Sequence, residues 1–228
     1  HRISRRDITD QDADPVYDSL GCDIADIENQ GAVLVVGSNI RTEAPIIAHR
    51  LRKAAVAGAK VSFANSRKYP YFFDVADYRS GEGLVRLLSG IVMAASGGKP
   101  PAAVEDICAG VGATDADKRI ASSLKDADNA LIMLGNIARR HAAFSAVRAL
   151  ASLAGVLPHR TAGGHKRASR GSGVAEMLGR ELHAVVLVNV EPEADILATT
   201  DVVEKLSKQQ FVIALTPFVS EDLLEVAD

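Results

Sequence analysis

The sequence is poor in the residues that mark several classes of protein. It has no tryptophan, aromatic residues make up only 4% of it, and its two cysteines, Cys22 and Cys108, stand far apart. Neither cysteine lies in a C-x-x-C motif or a Cys/His cluster, so a zinc or iron–sulfur site within the chain is not expected. We expect two buried, reduced thiols in a cytosolic protein. No apolar run approaches the ~20 residues of a membrane span, so we expect no direct membrane insertion.

Glycine-rich nucleotide motifs are also missing. The dinucleotide fingerprint G-x-G-x-x-G, the phosphate-binding string G-x-x-x-x-G-K-[ST] and the hydrolase elbow G-x-S-x-G do not occur. The net charge of −3 argues against a nucleic-acid-binding domain. The six histidines form no convincing H-x-x-x-H pair, and His49 and His141 fall on or beside polar helix faces, which favours surface positions.

Aliphatic residues dominate instead, since hydrophobic residues make up 47% of the chain. An aliphatic core suits a parallel sheet covered by helices, whose strands read as unbroken apolar runs. Three such runs are each followed by a turn and a helical pattern, and each ends near an asparagine: Asn39, Asn136 and Asn189. The units are AVLVVGSN (32–39) with a helix over 45–57, ALIMLGN (130–136) with a helix over 138–154, and AVVLVNV (184–190) with a helix over 193–206.

The remaining segments extend this alternation of strands and helices. Two more strands fit residues 60–65 and 210–217, and two more helices fit residues 82–96 and 115–127. The order predicts an α/β fold of Rossmann-like, doubly wound parallel sheets with right-handed crossovers.

Composition also suggests a domain division. The Gly/Pro-rich segment 95–106 is typical of an exposed crossing between two halves. We therefore expect a charged arm and lead-in over 1–30, a first Rossmann-like βα part over 31–100, and a second βα part of the same region over 101–228.

The turns that follow the strands are the candidate ligand sites. The first turn contains Gly37, Ser38 and Asn39, and the second contains Gly135 and Asn136. Each has one glycine, whereas a dinucleotide site needs several for the backbone to approach the pyrophosphate. NAD binding at these turns is therefore not expected.

The third turn, V-N-V-E-P-E, has no glycine and two carboxylates. Glu191 and Glu193 could act as an acid/base pair, but together with Pro192 they more simply begin a helix. Carboxylates at that position complement the helix dipole and would repel an anionic ligand.

Two charged segments lie outside the repeated units. The loop 158–173 is rich in glycine and basic residues, and it is either an anion or partner contact or a solvated flexible loop. The first fifteen residues are strongly charged, which is typical of a surface arm. The basic residues of the loop are Arg160, His165, Lys166, Arg167 and Arg170.

Because the chain begins with His1 and ends at Asp228, we interpret it as an excerpt of a longer polypeptide.

Several strings resemble one known family. The segment VVGSNIRTEAPIIAHRLRKA (35–54) resembles the large peripheral-arm subunit of bacterial NADH-quinone oxidoreductase, the 75 kDa-type subunit of respiratory complex I. That family has a strand followed by GSNPR-x-E-A-P and an R-[LI]-R-K-A helix. Further matches are HRI at 1–3, LPHR at 157–160, VNVEPEAD at 188–195 and ALTPFVSEDLLEVAD at 214–228.

The resemblance implies a fold and a setting. The fold would be the middle portion of the molybdopterin-oxidoreductase architecture. The parent subunit would belong to the membrane-associated electron-transport complex that passes electrons from NADH to quinone, coupled to proton translocation, at the cytoplasmic face of the bacterial inner membrane. Its iron–sulfur clusters would lie in an N-terminal part outside these residues. The region itself would be a cofactor-free scaffold that docks neighbouring peripheral-arm subunits, and an isolated copy could form a homodimer through bare apolar surface.

Two rival interpretations remain open. In catalytic relatives, such turns bind a pterin guanine dinucleotide, so Gly37, Ser38, Asn39, Gly135 and Asn136 would be the binding residues of a molybdopterin-dependent oxidoreductase domain. The first turn of those relatives usually reads G-x-N-P with a later H-P, whereas Ile40 and Ala44 stand at the proline and histidine positions here. The third interpretation is a module that binds a small nucleotide.

Overall fold

The computed structural model describes residues 20, 22–153, 174–196 and 201–228. The described residues fall into two compact units, one within Pro15–Lys166 and one within Arg167–Asp228. The expectation of a surface arm over the first fifteen residues, and those for the basic loop 158–173 with its five basic residues, concern positions outside the described residues.

The first unit contains a parallel four-stranded sheet in the order β3-β2-β1-β4. The strands are β1 (Ala32–Val36), β2 (Lys60–Ala64), β3 (Tyr78–Arg79) and β4 (Ala130–Leu134). All five residues of β1 are buried, as expected at the centre of a sheet covered on both faces. Since the chain adds β2 and β3 on one side of β1 and β4 on the other, a topological switch point lies between β1 and β4.

Helices pack on both faces of this sheet. Alternate residues of β1 point to opposite faces, so Val33 and Val35 pack in one core with Leu51, while Leu34 lies in another with Leu87. The helices are α1 (Ile40–Glu43), α2 (Pro45–Val56), α3 (Leu84–Ala95), α4 (Glu105–Cys108), α5 (Asp115–Asp126), α6 (Asn136–Arg139) and α7 (Phe144–Leu153), with 3-10 turns at Ala25–Asn29 and Ala102–Val104.

The second unit has a separate core around a two-stranded parallel sheet. Leu187, Leu206 and Leu223 are buried together there, and the last residue, Asp228, accepts the Val212 N–H with its carboxylate at 2.8 Å. The elements are α8 (Val174–Leu178), β5 (Val185–Val188), α9 (Pro192–Asp195), α10 (Val202–Ser207), β6 (Val212–Leu215) and α11 (Glu221–Val226).

The predicted alternation of strands and helices is confirmed, but two of the predicted helices are interrupted. The helix expected over 138–154 is broken between α6 and α7, where the His141 Nδ1 accepts the Ala143 N–H at 3.2 Å. The prediction of one helix over 193–206 is also wrong. Helix α9 ends before the non-helical Ile196, and α10 begins after Asp201, whose φ is 57°. A local side-chain bond lies in the first interruption, and the left-handed Asp201 precedes α10 in the second, at positions where the apolar spacing would continue a helix.

The observed units also differ from the division expected at residues 100 and 101. Strand β4 pairs with β1 in one sheet, so residues from both sides of that point share one core. Glycines in the expected linker, Gly97 and Gly98, are exposed and end α3 with positive φ. No helix among the described residues is long and apolar enough to cross a bilayer.

Candidate functional site

The two glycine turns meet at the carboxyl edge of the sheet, at the switch point between β1 and β4. A Cβ atom on Gly135 would lie 2.2 Å from the Ser38 Cβ, and one on Gly37 would lie 2.5 Å from the Ala138 nitrogen. Gly37 also has a φ of 57°, where side chains are strained. The Ala138 N–H donates to the Gly37 carbonyl at 3.1 Å. Both glycines therefore allow the turns to contact each other directly.

The carboxylate of Glu43, the last residue of α1, connects these turns. Its Oε1 accepts the Asn39 N–H at 2.9 Å, and its Oε2 accepts the Ser38 hydroxyl at 2.8 Å and the Asn136 N–H at 3.0 Å. Backbone N–H groups at the start of helices are the donors that phosphates use in nucleotide-binding proteins. In this protein a carboxylate of the chain itself accepts them.

Asn65, which follows β2, extends the network to a third strand. Its Oδ1 accepts the Ser38 N–H at 2.7 Å, and its Nδ2 donates to the Tyr78 hydroxyl at 2.9 Å. The Tyr71 hydroxyl donates to the Ser38 carbonyl at 3.4 Å. Burial, with a further contribution from the Tyr78 hydroxyl, raises the pKa of Tyr71 above its usual range, so Tyr71 stays a neutral donor at physiological pH.

The third turn lies in the second unit and has a similar arrangement. Asn189 has a φ of 52°, and α9 begins at the buried Pro192, which confirms the predicted helix start. The Glu191 N–H donates to the Asp195 carboxylate at 3.0 Å. In the first and third turns, a carboxylate four residues later thus accepts the N–H of the residue that caps the helix.

The structure brings together the five residues of the pterin hypothesis: Gly37, Ser38, Asn39, Gly135 and Asn136. Glu191 and Glu193 lie in the other unit. His49 is exposed as predicted, whereas His141 is partly buried. Cys108 is buried and Cys22 only partly so, and both are free thiols.

Sequence reasoning missed Glu43, Asn65 and Tyr71. Glu43 lies four residues after the N-cap Asn39, one position beyond the acid of a capping box, so the standard helix-start signal does not identify it. Asn65 and Tyr71 reach the turns only through tertiary contacts, so no local pattern identifies them. No cluster of histidine, cysteine and acidic residues suited to a metal ion occurs in the described part of the chain.

The geometry defines a Rossmann-like α/β protein, with a parallel sheet wound on both faces and strand-following turns that meet at a switch point. The sequence profile of the molybdopterin oxidoreductase family matches residues 8–228, so the chain belongs to that family. This membership confirms the expected molybdopterin-oxidoreductase-like α/β fold and places the chain in an oxidoreductase family. A search of curated proteins found no match.

Proposed function

We propose that this chain is part of the large peripheral-arm subunit of NADH:quinone oxidoreductase and serves there as a cofactor-free scaffold. It would dock neighbouring peripheral-arm subunits at the cytoplasmic face of the bacterial inner membrane, while iron–sulfur clusters elsewhere in the subunit transfer electrons from NADH to quinone. Family membership supports the redox setting. The finer assignment rests on the resemblance of segments 35–54, 188–195 and 214–228 to that subunit.

The position of the Glu43 carboxylate is the observation that carries the scaffold proposal. It accepts the Asn39 and Asn136 N–H groups at the switch point, where ligands of open α/β sheets bind. A pterin guanine dinucleotide is anionic. Two unit charges 4 Å apart repel by about 1 kcal/mol in bulk water and about 4 kcal/mol near a protein surface, so the carboxylate disfavours that ligand.

Steric contact adds to the electrostatic repulsion. Gly135 and Ser38 are so close that even a Cβ on the glycine does not fit. A dinucleotide between these turns would have to separate them and break the Glu43 bonds to both. The close contact of the turns and their bonds to Glu43 support a region without a bound pterin.

The alternative is a molybdopterin-dependent oxidoreductase domain. It is favoured by the family membership and by the meeting of Gly37, Ser38, Asn39, Gly135 and Asn136 at one edge of the sheet. It requires Glu43 to leave its three donors when the pterin binds.

Metal and pterin content of the natively purified, full-length protein distinguishes the two. We expect molybdenum and tungsten far below one atom per chain by inductively coupled plasma mass spectrometry, and no released pterin by fluorescence. We also expect the other subunits of the respiratory complex to co-purify. Stoichiometric molybdenum with a pterin would establish the alternative.

A thermal-shift panel of nucleotides tests the small-nucleotide interpretation. A nucleotide at 100 times its Kd would raise the free energy of unfolding by about 2.7 kcal/mol. The scaffold proposal predicts no such shift for adenine or guanine nucleotides.

A further inference from the structure

An exposed phenylalanine is held on the surface of the first unit by two arginines. Phe72 is 76% exposed. The Arg41 guanidinium lies 4.1 Å from the centre of its ring, and the Arg52 Nε donates to the Phe72 carbonyl at 3.2 Å. Arg41 also donates to the Pro70 carbonyl at 2.9 Å. Helices α1 and α2 thus fix this part of the loop from one side.

The neighbours of Phe72 in the loop fix it from the other side. Tyr71 stacks on Phe63 of β2 with ring centres 4.1 Å apart, and Phe73 lies 5.5 Å from Tyr71. Both pack against the core that contains Phe63, so the ring between them faces outward. Phe72 is therefore a preorganised aromatic group, which lowers the entropy that a binding partner must overcome.

The loop that carries Phe72 is basic, and arginines of α1 and α2 contact it. Arg67 and Lys68 are exposed, and each lies over an aromatic ring, that of Tyr69 at 5.1 Å and that of Tyr78 at 5.8 Å respectively. Neither these two cations nor Arg41 and Arg52 form an ion pair with a carboxylate in the described part of the chain. Segment 66–74 contains a single acid, Asp74.

This basic surface contrasts with the chain as a whole, whose net charge is −3. Arg50 and Lys53 on the same helix as Arg52 are both paired with Glu28. The four cations in or beside this loop therefore have no carboxylate partner among the described residues, whereas Arg50 and Lys53 do.

We propose that Phe72, with Arg41, Arg52, Arg67 and Lys68, is a docking surface for a partner protein that offers an apolar pocket surrounded by carboxylates. Phenylalanine and arginine are both enriched at protein interfaces, and arginine is among the residue types that carry most of the binding energy there. This docking surface rests on the scaffold function proposed above, in which the region binds neighbouring subunits. It adds the chemistry of the partner's surface.

A nucleic acid fits this surface less well. Binding of single strands uses successive aromatic rings on which bases stack. Within residues 66–78, all of which the structure describes, Phe72 is the one exposed ring, and Arg41 covers one of its faces.

Site-specific photo-crosslinking in the native cells tests the surface. The full chain carries p-benzoylphenylalanine at position 72 or, as a control, at Val56, an apolar residue of α2 that is 73% exposed. We expect position 72 to crosslink to one protein, at a peptide that mass spectrometry shows to contain apolar residues beside aspartate or glutamate. Position 56 should not give this product.

Charge reversal supplies the second arm. Arg67→Glu with Lys68→Glu should reduce the yield at position 72 by at least about tenfold, because the rim charges steer association. The exposed Arg86→Glu, distant in sequence and paired with Glu82, should leave the yield unchanged. Equal unfolding midpoints of these variants establish that both are folded.

The outcomes separate this proposal from the function proposed above. An acidic partner outside the respiratory complex supports the surface and contradicts the complex I assignment. Co-purification of the respiratory subunits without a product at position 72 supports that assignment and overturns the surface. Products with nucleic acid, only with another copy of this chain, or equally from positions 72 and 56 also overturn it.

Discussion

Glu43 and Asn136 are separated by 93 positions in the sequence, and the carboxylate of the first accepts the backbone N–H of the second at 3.0 Å. This bond joins the turn after β1 to the turn after β4, the two strands that flank the switch point. The same carboxylate accepts two donors of its own turn. A group that in many α/β proteins would belong to a ligand is here a side chain of the protein.

Replacing Glu43 by alanine should destabilise the first unit by about 2–3 kcal/mol, because hydrogen bonds to charged acceptors contribute the most and three donors lose theirs. Urea unfolding followed by circular dichroism measures this. Glu105→Ala, at an exposed glutamate of α4, is the matched control and should have little effect. Equal stability of the two variants would contradict the structural role of Glu43.

Gly135→Ala should cost about 3 kcal/mol or more, because the added Cβ would overlap the Ser38 side chain at 2.2 Å. Gly112→Ala is the control, since nothing lies within 4 Å of its Cβ position, and it should change the free energy of unfolding by no more than about 1 kcal/mol. A tolerated alanine at position 135 would show that the turns do not make this contact in solution.

Asp117→Asn should destabilise the first unit by on the order of 3 kcal/mol. The fully buried Asp117 carboxylate accepts the Arg79 Nε at 2.6 Å and the Thr114 N–H at 2.9 Å, and loss of one partner of a buried pair leaves the other charge uncompensated. Asp115→Asn, two residues earlier and highly exposed, is the control in the same helix turn. Denaturant midpoints of the two variants should differ clearly.

Stability should depend on pH through Glu28. The hydrogen bond from Lys53, followed in size by the one from Arg50, lowers the pKa of Glu28 in the folded protein. A lowered folded pKa means that the contribution is complete above the unfolded glutamate value of about 4.3, and is lost as the pH falls through the folded value. The difference in urea midpoint between the native chain and Glu28→Gln should therefore be constant near neutrality and shrink below about pH 4. A difference that grows in acid would contradict this pairing.

The apolar runs by themselves determined most of the secondary structure. AVLVV, KVSFA and ALIML are short, aliphatic and separated by helical patterns, which is the local signature of buried parallel strands, and they form β1, β2 and β4. The sequence pattern also correctly placed Gly37 and Gly135 in the turns that follow β1 and β4. The short strand β3 was not predicted, because its two residues, Tyr78 and Arg79, are too few to show an alternating hydrophobic pattern.

The sequence thus determined the fold class, the family resemblance and the set of turn residues, because apolar periodicity and turn chemistry are local properties. Only the tertiary structure decided how those turns contact each other and which groups accept their N–H donors. The contact of Gly135 with Ser38, the bond from Asn136 to Glu43 and the outward position of Phe72 depend on segments that are distant along the chain. Such proximity arises from the order in which strands add to the sheet, and side-chain spacing along one segment does not contain it.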